Sequence, residues 1–321
     1  MINNENLIYF KSFVIERNRI YKRKTIEGKS RPWTANPILN EYRFTNIKRW
    51  QDTESKWLIE HIAENPDLSY EDKLLNCILF RTWNKHQTFE TICQRPLSAS
   101  EILNTPLEVF KKRVDEYTHL HPEYVWYTNA FSCGGLKGNW HSPLGISPKI
   151  SKEPREANIP VRMFFLARWV LNNHIIENIS KFSTPALVLE ELKKIPGLAL
   201  FLTYQMYVDF TYIKEFPFTE NDLVVAGPGC QVGIDVLYDS KDGKSYEEII
   251  NEIYEHQNEL FRPYSLREEF NYPLRVDDGV RVLTKMDIEN IFCEYGKYMK
   301  VILGTGRPKN HYKSAREGEL F

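Results

Sequence analysis

The spacing of apolar residues constrains the fold of this chain more than any other feature of its sequence. Apolar side chains recur at three- and four-residue intervals, as at Leu74, Leu75, Ile78 and Leu79, which is the period of an amphipathic helix. Runs that alternate apolar and polar residues between turns, the pattern of strands, are scarce. The sequence therefore predicts a mainly α-helical protein with long loops.

Capping signals place several helix ends. Ser69, followed three residues later by Asp72, predicts a helix start through a capping box. A Thr-Pro pair at 184–185 predicts another start, and the Pro-Gly pair at 196–197 must end that helix.

Two further stretches carry the helical period over a longer distance. Residues 161–178 form the strongest amphipathic or buried pattern, with Pro160 at a permitted first-turn position. Apolar residues between 37 and 63 also predict helix, including the segment RFTNIKR at 43–49.

Residues 131–160 and 226–245 are rich in turn residues and interrupt this pattern. The first stretch fits a domain linker and a functional loop within one domain equally well. We therefore expect a single helical unit that could comprise two lobes, about 30–150 and about 158–301, followed by a surface tail at 302–321.

The distribution of charge is uneven although the formal net charge is only -1. Residues 1–50 contain 11 Lys and Arg against 4 Asp and Glu, whereas the remaining residues are acidic in balance. A basic segment on an acidic body predicts an edge that faces a polyanion, and DNA is the partner we expect.

Cysteine usage and hydropathy exclude other classes. The five cysteines never form a C-x-x-C pair, so neither a disulfide framework nor a thiolate metal site is indicated. No run of about eighteen apolar residues occurs, and no signal sequence is recognisable. We expect a cytoplasmic protein without a membrane partner.

The segment 184–238 is the most informative for function. It contains a helix, a tight IPGL turn, a second helix, a loop, and Asp222 ahead of a Gly-Pro-Gly loop. This order resembles a helix-hairpin-helix DNA glycosylase, in which the hairpin binds a phosphate through backbone N–H groups and a later aspartate does the chemistry. Asp222 follows Pro196 by 26 residues.

Both acidic candidates in this segment have a structural alternative. Thr219 and Asp222 also fit a Thr-x-x-Asp capping box, in which Asp222 has no catalytic meaning. Asp209 lies in an otherwise apolar helix, where an unpaired carboxylate would be costly. It is therefore either a paired structural residue or part of the site.

Five ordered blocks resemble the alpha-glutamyl/putrescinyl thymine pyrophosphorylase family, also called the hydroxymethyluracil DNA kinase helical domain and related to helix-hairpin-helix glycosylases. The blocks are NPILNEYRFTNIKRWQDTESKWLI (36–59), LFRTWNKHQTFE (79–90), LTYQMYVDFTY (202–212), FTENDLVVAGPG (218–229) and MDIENIFCEYGKYMKV (286–301). Two positions depart from the family pattern. Ala199 replaces a second hairpin glycine, and Gly296 replaces an acidic residue before Lys297 and Tyr298.

The resemblance implies action on phage DNA that carries enlarged 5-substituted pyrimidines, and such an enzyme must first flip the nucleotide out of the stack. We expect Asp222 to stabilise the oxocarbenium-like sugar formed when an N-glycosidic bond breaks, with Asp209 as the other catalytic candidate. The residues expected to bind DNA or the flipped base are Arg43, Asn46, Arg49, Pro196, Gly197, Tyr204, Gln205, Gly227, Gly229 and Lys297. Lys22, Arg23 and Lys24 are candidates for general attraction of the DNA backbone.

Other chemistry is less well supported. His119 and His121 lack an acidic or histidine partner at helical spacing, and the glycine-rich segment 133–139 lacks the nucleoside-triphosphate loop pattern. No lysine stands at 189–190, before the hairpin, where lyase-type relatives place their nucleophile. We therefore expect no metal, no cofactor, and base removal by water without strand cleavage.

The sequence thus predicts a DNA glycosylase that removes hypermodified pyrimidines, for example glucosylated ones, from phage DNA in antiviral defence. Two alternatives stay open. One is a transferase that modifies pyrophosphorylated hydroxymethyluracil in phage DNA, and the other is a non-catalytic reader of modified DNA.

Overall fold

The computed structural model describes residues 1–128 and 158–312 and is mainly helical, as predicted. Within these ranges no strand forms; two isolated bridges pair Ile2 with Tyr238 and Tyr42 with His311. The loop expected at 131–160, the segment 133–139 and the end of the expected tail lie wholly or largely outside the described residues.

The helices share an apolar face at helical spacing and are numbered here in chain order. They are α1 (Asn4–Tyr21), α2 (Pro37–Glu41), α3 (Thr53–Leu58), α4 (Tyr70–Arg81), α5 (His86–Cys93), α6 (Ala99–Asn104), α7 (Leu107–Leu120), α8 (Asn158–Asn172), α9 (Ile175–Ile179), α10 (Pro185–Lys193), α11 (Leu200–Phe210), α12 (Pro228–Leu237), α13 (Tyr246–Leu260), α14 (Leu266–Glu269) and α15 (Lys285–Ile302). Single turns of 3₁₀ or π-helix occur at Lys22–Ile26, Arg49–Gln51 and Ile59–Ala63.

The chain divides into two compact units, and the first is built from two separate segments. Unit 1 comprises Met1–Asp52 and Leu223–Phe321, and unit 2 comprises Thr53–Asp222. The lobes expected from the sequence, about 30–150 and about 158–301, divide the chain at other points. Unit 2 is an insertion between the two segments of unit 1.

Several predicted helix ends are confirmed in unit 2. The Ser69 side chain accepts a hydrogen bond from the Asp72 backbone N–H at 3.1 Å and caps α4. Helix α10 starts at Pro185 after Thr184 and ends before Pro196. The pattern at 161–178 forms two helices instead of one, because His174 between them adopts a left-handed conformation with φ 56°.

Helices α12 and α15 pack closely in the core of unit 1. A Cβ atom added at Gly233 would overlap the carbonyl oxygen of Phe292, and one added at Gly296 would lie 3.2 Å from the Gly233 backbone nitrogen. Glycine at these positions lets the two helix backbones approach without intervening side chains.

Replacing Gly233 by alanine should therefore destabilise unit 1, by about 1–3 kcal/mol or more, since backbone atoms have to move to make room. Chemical denaturation of the two proteins measures this loss. Gly306→Ala is a matched control, because its added Cβ would make only an ordinary contact with Lys300 at 3.7 Å. Equal stability of the Gly233→Ala and Gly306→Ala variants would contradict the close approach.

The four cysteines within the described ranges, Cys77, Cys93, Cys230 and Cys293, are free. In the same ranges, no helix is both long and apolar enough to cross a bilayer.

Candidate functional site

The segment between α2 and the turn Arg49–Gln51 in unit 1 is not helical, so the prediction of a helix over RFTNIKR is wrong. The buried Arg17 guanidinium donates hydrogen bonds of 2.9 Å to the carbonyl oxygens of Phe44 and Thr45. The Asn46 N–H donates to Asp52 Oδ1 at 3.0 Å. Side chains distant in sequence thus satisfy the backbone groups that a helix would have paired internally.

Helix α15 also contacts this segment. Glu294 Oε2 accepts a hydrogen bond from the Thr45 N–H at 3.2 Å, and the Asn290 side-chain amide donates to the Asn46 carbonyl at 3.0 Å. Lys48 and Asp287 form a fully buried ion pair at 2.8 Å. Asp287, Asn290 and Glu294 follow the three- and four-residue spacing of one helix face, so one face of α15 supplies all three of these contacts.

The Gly-Pro-Gly loop forms the N-terminus of α12 and also contacts α15. The Gly227 N–H points to Glu289 Oε1 at 3.4 Å. A Cβ atom at Gly229 would lie 2.6 Å from Cys293 Sγ, so the position requires glycine unless Cys293 moves. The two glycines therefore bring a helix N-terminus to a carboxylate.

These contacts assemble five ionisable side chains, which we call the acid–base cluster: Arg49, Asp52, Glu289, Glu294 and Lys297. Lys297 Nζ pairs with Glu294 Oε1 at 2.5 Å. The pKa of Glu289 is influenced by the charges of Arg49, Glu294 and Lys297. The pKa of Asp52 is influenced by the charges of Arg49 and Glu294. The Glu294 side chain is buried, whereas that of Lys297 is 47% exposed. The cluster therefore reaches solvent through at least one cation.

Two carboxyl groups of the cluster have raised pKa values. Burial raises the pKa of Asp52 to about 6, although the Asn46 N–H and the Arg49 charge oppose the change. Burial also raises the pKa of Glu289, against the opposing charge of Arg49. A carboxyl group that titrates close to neutral pH can accept and return a proton, which is the requirement for general acid–base catalysis.

Asp52 is the better placed of the two carboxyl groups. Its Oδ1 atom is fixed by Asn46, and within the described residues Oδ2 has no hydrogen-bond partner. Asp52 is only partly buried, whereas Glu289 is 8% exposed. Arg49 and Lys297 add positive charge beside these acids, which suits a phosphate or pyrophosphate group.

Two other predicted site residues of unit 1, Arg43 and Asn46, lie in the segment between α2 and the turn Arg49–Gln51. Arg43 is exposed, and its backbone N–H donates to the Asn310 carbonyl at 2.9 Å. The Asn46 side-chain amide, expected to read a base edge, donates to the Gln51 carbonyl at 3.1 Å. That amide already has a role within the protein.

The remaining candidates belong to unit 2. Asp209 is fully buried on α11 and forms a two-pronged ion pair with Arg81, whose Nε lies 2.6 Å from Asp209 Oδ2. Tyr204 and Gln205 on the same helix are 2% and 4% exposed. The structure thus places three expected site residues in the core of unit 2 rather than on its surface.

The turn expected between two helices at Pro196 and Gly197 is present, but the helix that a capping box at Asp222 would start is not. Pro196 and Gly197 form the turn between α10 and α11, and Gly197 has a positive φ of 80°. Asp222 is exposed, and its Oδ2 accepts hydrogen bonds from the Thr219 N–H at 2.6 Å and the Thr219 hydroxyl at 2.8 Å. This is one half of a capping-box pattern, because the Thr219 hydroxyl accepts from the Asn221 N–H and not from the Asp222 N–H, and no helix follows it.

Sequence reasoning missed the three acids of the cluster, Asp52, Glu289 and Glu294. All three stand inside two of the blocks that carry the family resemblance, at 36–59 and 286–301. The signal was the three-residue spacing of Glu294 and Lys297. Asp52 gave no signal, because the long-range contacts that bury it cannot be read from the sequence.

Within residues 1–128 and 158–312, no three His, Cys, Asp or Glu side chains converge as metal ligands. His119 lies in the last turn of α7, and His121 directly follows that helix.

The fold and the cluster define a helical protein with a partly buried acid–base site at a helix N-terminus. The chain belongs to the family described as 5-hmdU DNA kinase, helical domain, whose model matches residues 4–307. It is 25% identical over 306 residues to the 5-hmdU DNA kinase of Bacillus phage SP10. That match covers 89% of this chain and 43% of the phage protein, so the chain spans less than half the length of this relative.

No solved structure matches the chain significantly. Neither match reported above is to a glycosylase, so a relationship to that class stays a prediction.

Proposed function

We propose that the chain is a transferase that acts on the 5-hydroxymethyl position of a modified uracil in phage DNA, with the acid–base cluster as its reaction site. The observation that carries the proposal is Asp52, a partly buried carboxyl with a pKa of about 6, beside Arg49. Membership of the 5-hmdU DNA kinase helical-domain family supports the substrate class.

The transfer could be of a phosphoryl group to the base hydroxyl, or of an amine that displaces pyrophosphate. Both reactions need a proton acceptor and positive charge from the protein. When the base hydroxyl attacks the γ-phosphorus of ATP, its oxygen gains a P–O bond and loses a proton, while the bond from that phosphorus to the ADP oxygen breaks and ADP leaves. When an amine displaces pyrophosphate, the nitrogen gains a bond to the exocyclic carbon, the C–O bond breaks, and the amine loses a proton. Asp52 would take that proton, and Arg49 and Lys297 would offset the phosphate charge.

The acidic side chains of this chain favour transfer over the glycosylase expected from the sequence. A glycosylase of that kind needs a carboxylate facing the deoxyribose, and Asp222 was the candidate. Asp222 is exposed and bound by Thr219, whereas Asp52 is partly buried beside Arg49 and has a pKa raised to about 6. The phage relative is likewise named as a kinase, which is a transferase.

Mass spectrometry of nucleosides tests the proposal. DNA with thymine or 5-hydroxymethyluracil is incubated with the protein and ATP, and pyrophosphorylated 5-hydroxymethyluracil DNA is incubated with glutamate or putrescine. We expect a heavier nucleoside from one of the two modified DNAs and no change in thymidine.

Two results would overturn the transferase. Free base with aldehyde-reactive abasic sites would establish a glycosylase instead. Unchanged nucleosides in every reaction, with tighter binding of modified than of plain DNA, would establish a reader.

A further inference from the structure

A second cluster of unit 1 joins two aromatic rings and two cations. The rings of Trp33 and Tyr312 meet edge to face, with centroids 5.2 Å apart. Lys24 Nζ lies 5.3 Å from the Trp33 centroid and 5.8 Å from that of Tyr312. Arg31 Cζ lies 5.8 Å and 5.2 Å from the same two centroids. Each cation is therefore shared by both rings.

The backbone holds this arrangement in place. The Trp33 indole N–H donates to the Lys29 carbonyl at 2.6 Å, and the Arg23 guanidinium donates to the Trp33 carbonyl. The Tyr312 N–H donates to the Glu41 carbonyl at 3.1 Å. Both rings remain partly exposed, so they are preorganised and still reachable from solvent.

Two of the cations in this region have no acidic partner among the described residues. Among the described residues, neither Lys24 nor Arg43 forms an ion pair, whereas neighbouring Lys29 pairs with Glu27 at 2.6 Å. Burial, together with the positive charges of Arg43 and Arg17, lowers the pKa of Lys24. Cations that repel each other in this way are stabilised when an anion binds between them.

We infer that Lys24, Arg43, Trp33 and Tyr312 form a docking surface for a single DNA strand. Lys24 and Arg43 contact its phosphates, and the Trp33 ring, supported edge to face by Tyr312, stacks on an unpaired base. Positive charge with aromatic rings is the combination that single-strand binding uses, and it tolerates any base sequence. The inference rests on the proposed function only in its choice of DNA as the nucleic acid.

A salt titration separates the two kinds of contact. Fluorescence anisotropy measures binding of a labelled, unmodified single-stranded oligonucleotide from low to high salt. Each phosphate contact contributes a slope of about 0.7 in log K against log salt for single strands. The Lys24→Gln, Arg43→Gln double variant should lose about 1.4 of that slope. The control Lys244→Gln, at an exposed lysine paired with Glu252, should keep it.

Removal of an aromatic ring should lower the affinity for the oligonucleotide without changing the salt slope. Trp33→Ala should bind about 5- to 150-fold more weakly at fixed salt with the slope unchanged, as expected for lost stacking on one base. Trp33→Phe should recover most of the affinity, and Tyr312→Leu is the second variant if Trp33→Ala does not fold.

Three outcomes would overturn the inference: a wild-type slope in the double variant, equal binding by the Trp33→Ala and Trp33→Phe variants, or tighter binding of the matching RNA. The oligonucleotide carries no modified base, and no transfer occurs in this assay. Failure of the docking surface and failure of the transferase are therefore seen in different assays.

Discussion

Replacing Asp52 by asparagine should slow transfer at neutral pH by about 10²- to 10⁴-fold, the contribution of a positioned general base. Asparagine keeps the oxygen that accepts from the Asn46 N–H but cannot take a proton. The wild-type rate should rise with pH through about 6, where the Asp52 carboxyl loses its proton. Single-turnover rates across this pH range measure both effects.

The same substitution should stabilise the folded protein. The pKa of Asp52 is raised from 3.8 to about 6, so the folded state binds this proton more tightly than the unfolded state does. Stability from this group is present in full below about pH 4 and declines as pH rises through 6. At pH 7 the Asp52→Asn variant should be more stable by on the order of 1–3 kcal/mol.

Two further variants make the Asp52 result interpretable. Asp67→Asn, at an exposed carboxylate in unit 2, should change neither rate nor stability. Asp222→Asn tests the glycosylase prediction. Full activity in Asp52→Asn together with loss in Asp222→Asn would move the chemistry to Asp222.

Replacing Asp209 by alanine should destabilise the protein by about 3–5 kcal/mol, because it leaves the Arg81 guanidinium buried without its carboxylate. The two side chains are 0% and 2% exposed, so water cannot compensate for the loss. Denaturant unfolding measures the change.

A double variant supplies the control for this pair. Arg81→Met with Asp209→Leu removes both charges and should recover much of the lost stability. If Asp209 acted in catalysis instead, Asp209→Ala would fold with near wild-type stability and lose activity.

Local signals predicted much of the fold because they act over a few residues. Ser69 caps α4, and Pro185 starts α10, through contacts within a single turn. The same reasoning was wrong at 43–49, where the apolar period suggested a helix. There Arg17 and Glu294, both far away in sequence, bind the backbone more favourably than helical pairing would.

The site was harder to predict than the fold for a related reason. Arg49 and Lys297 were expected from the sequence, because cations suit a phosphate. The acids beside them acquire raised pKa values only through burial by distant segments, as with Asp52. Asp209 and Gln205 were expected to take part, but their positions on α11 are turned into the core of unit 2.

The two segments of unit 1 are separated in the sequence by unit 2, so they are synthesised at different times. Asp52 leaves the ribosome early, but Glu289 and Lys297 follow only after all of unit 2 has been made. A nascent or truncated chain that ends within α13 therefore contains Arg49 and Asp52 of the acid–base cluster. It lacks Glu289, Glu294 and Lys297. Such fragments cannot assemble the cluster, so the reaction proposed for it should require translation of both segments of unit 1.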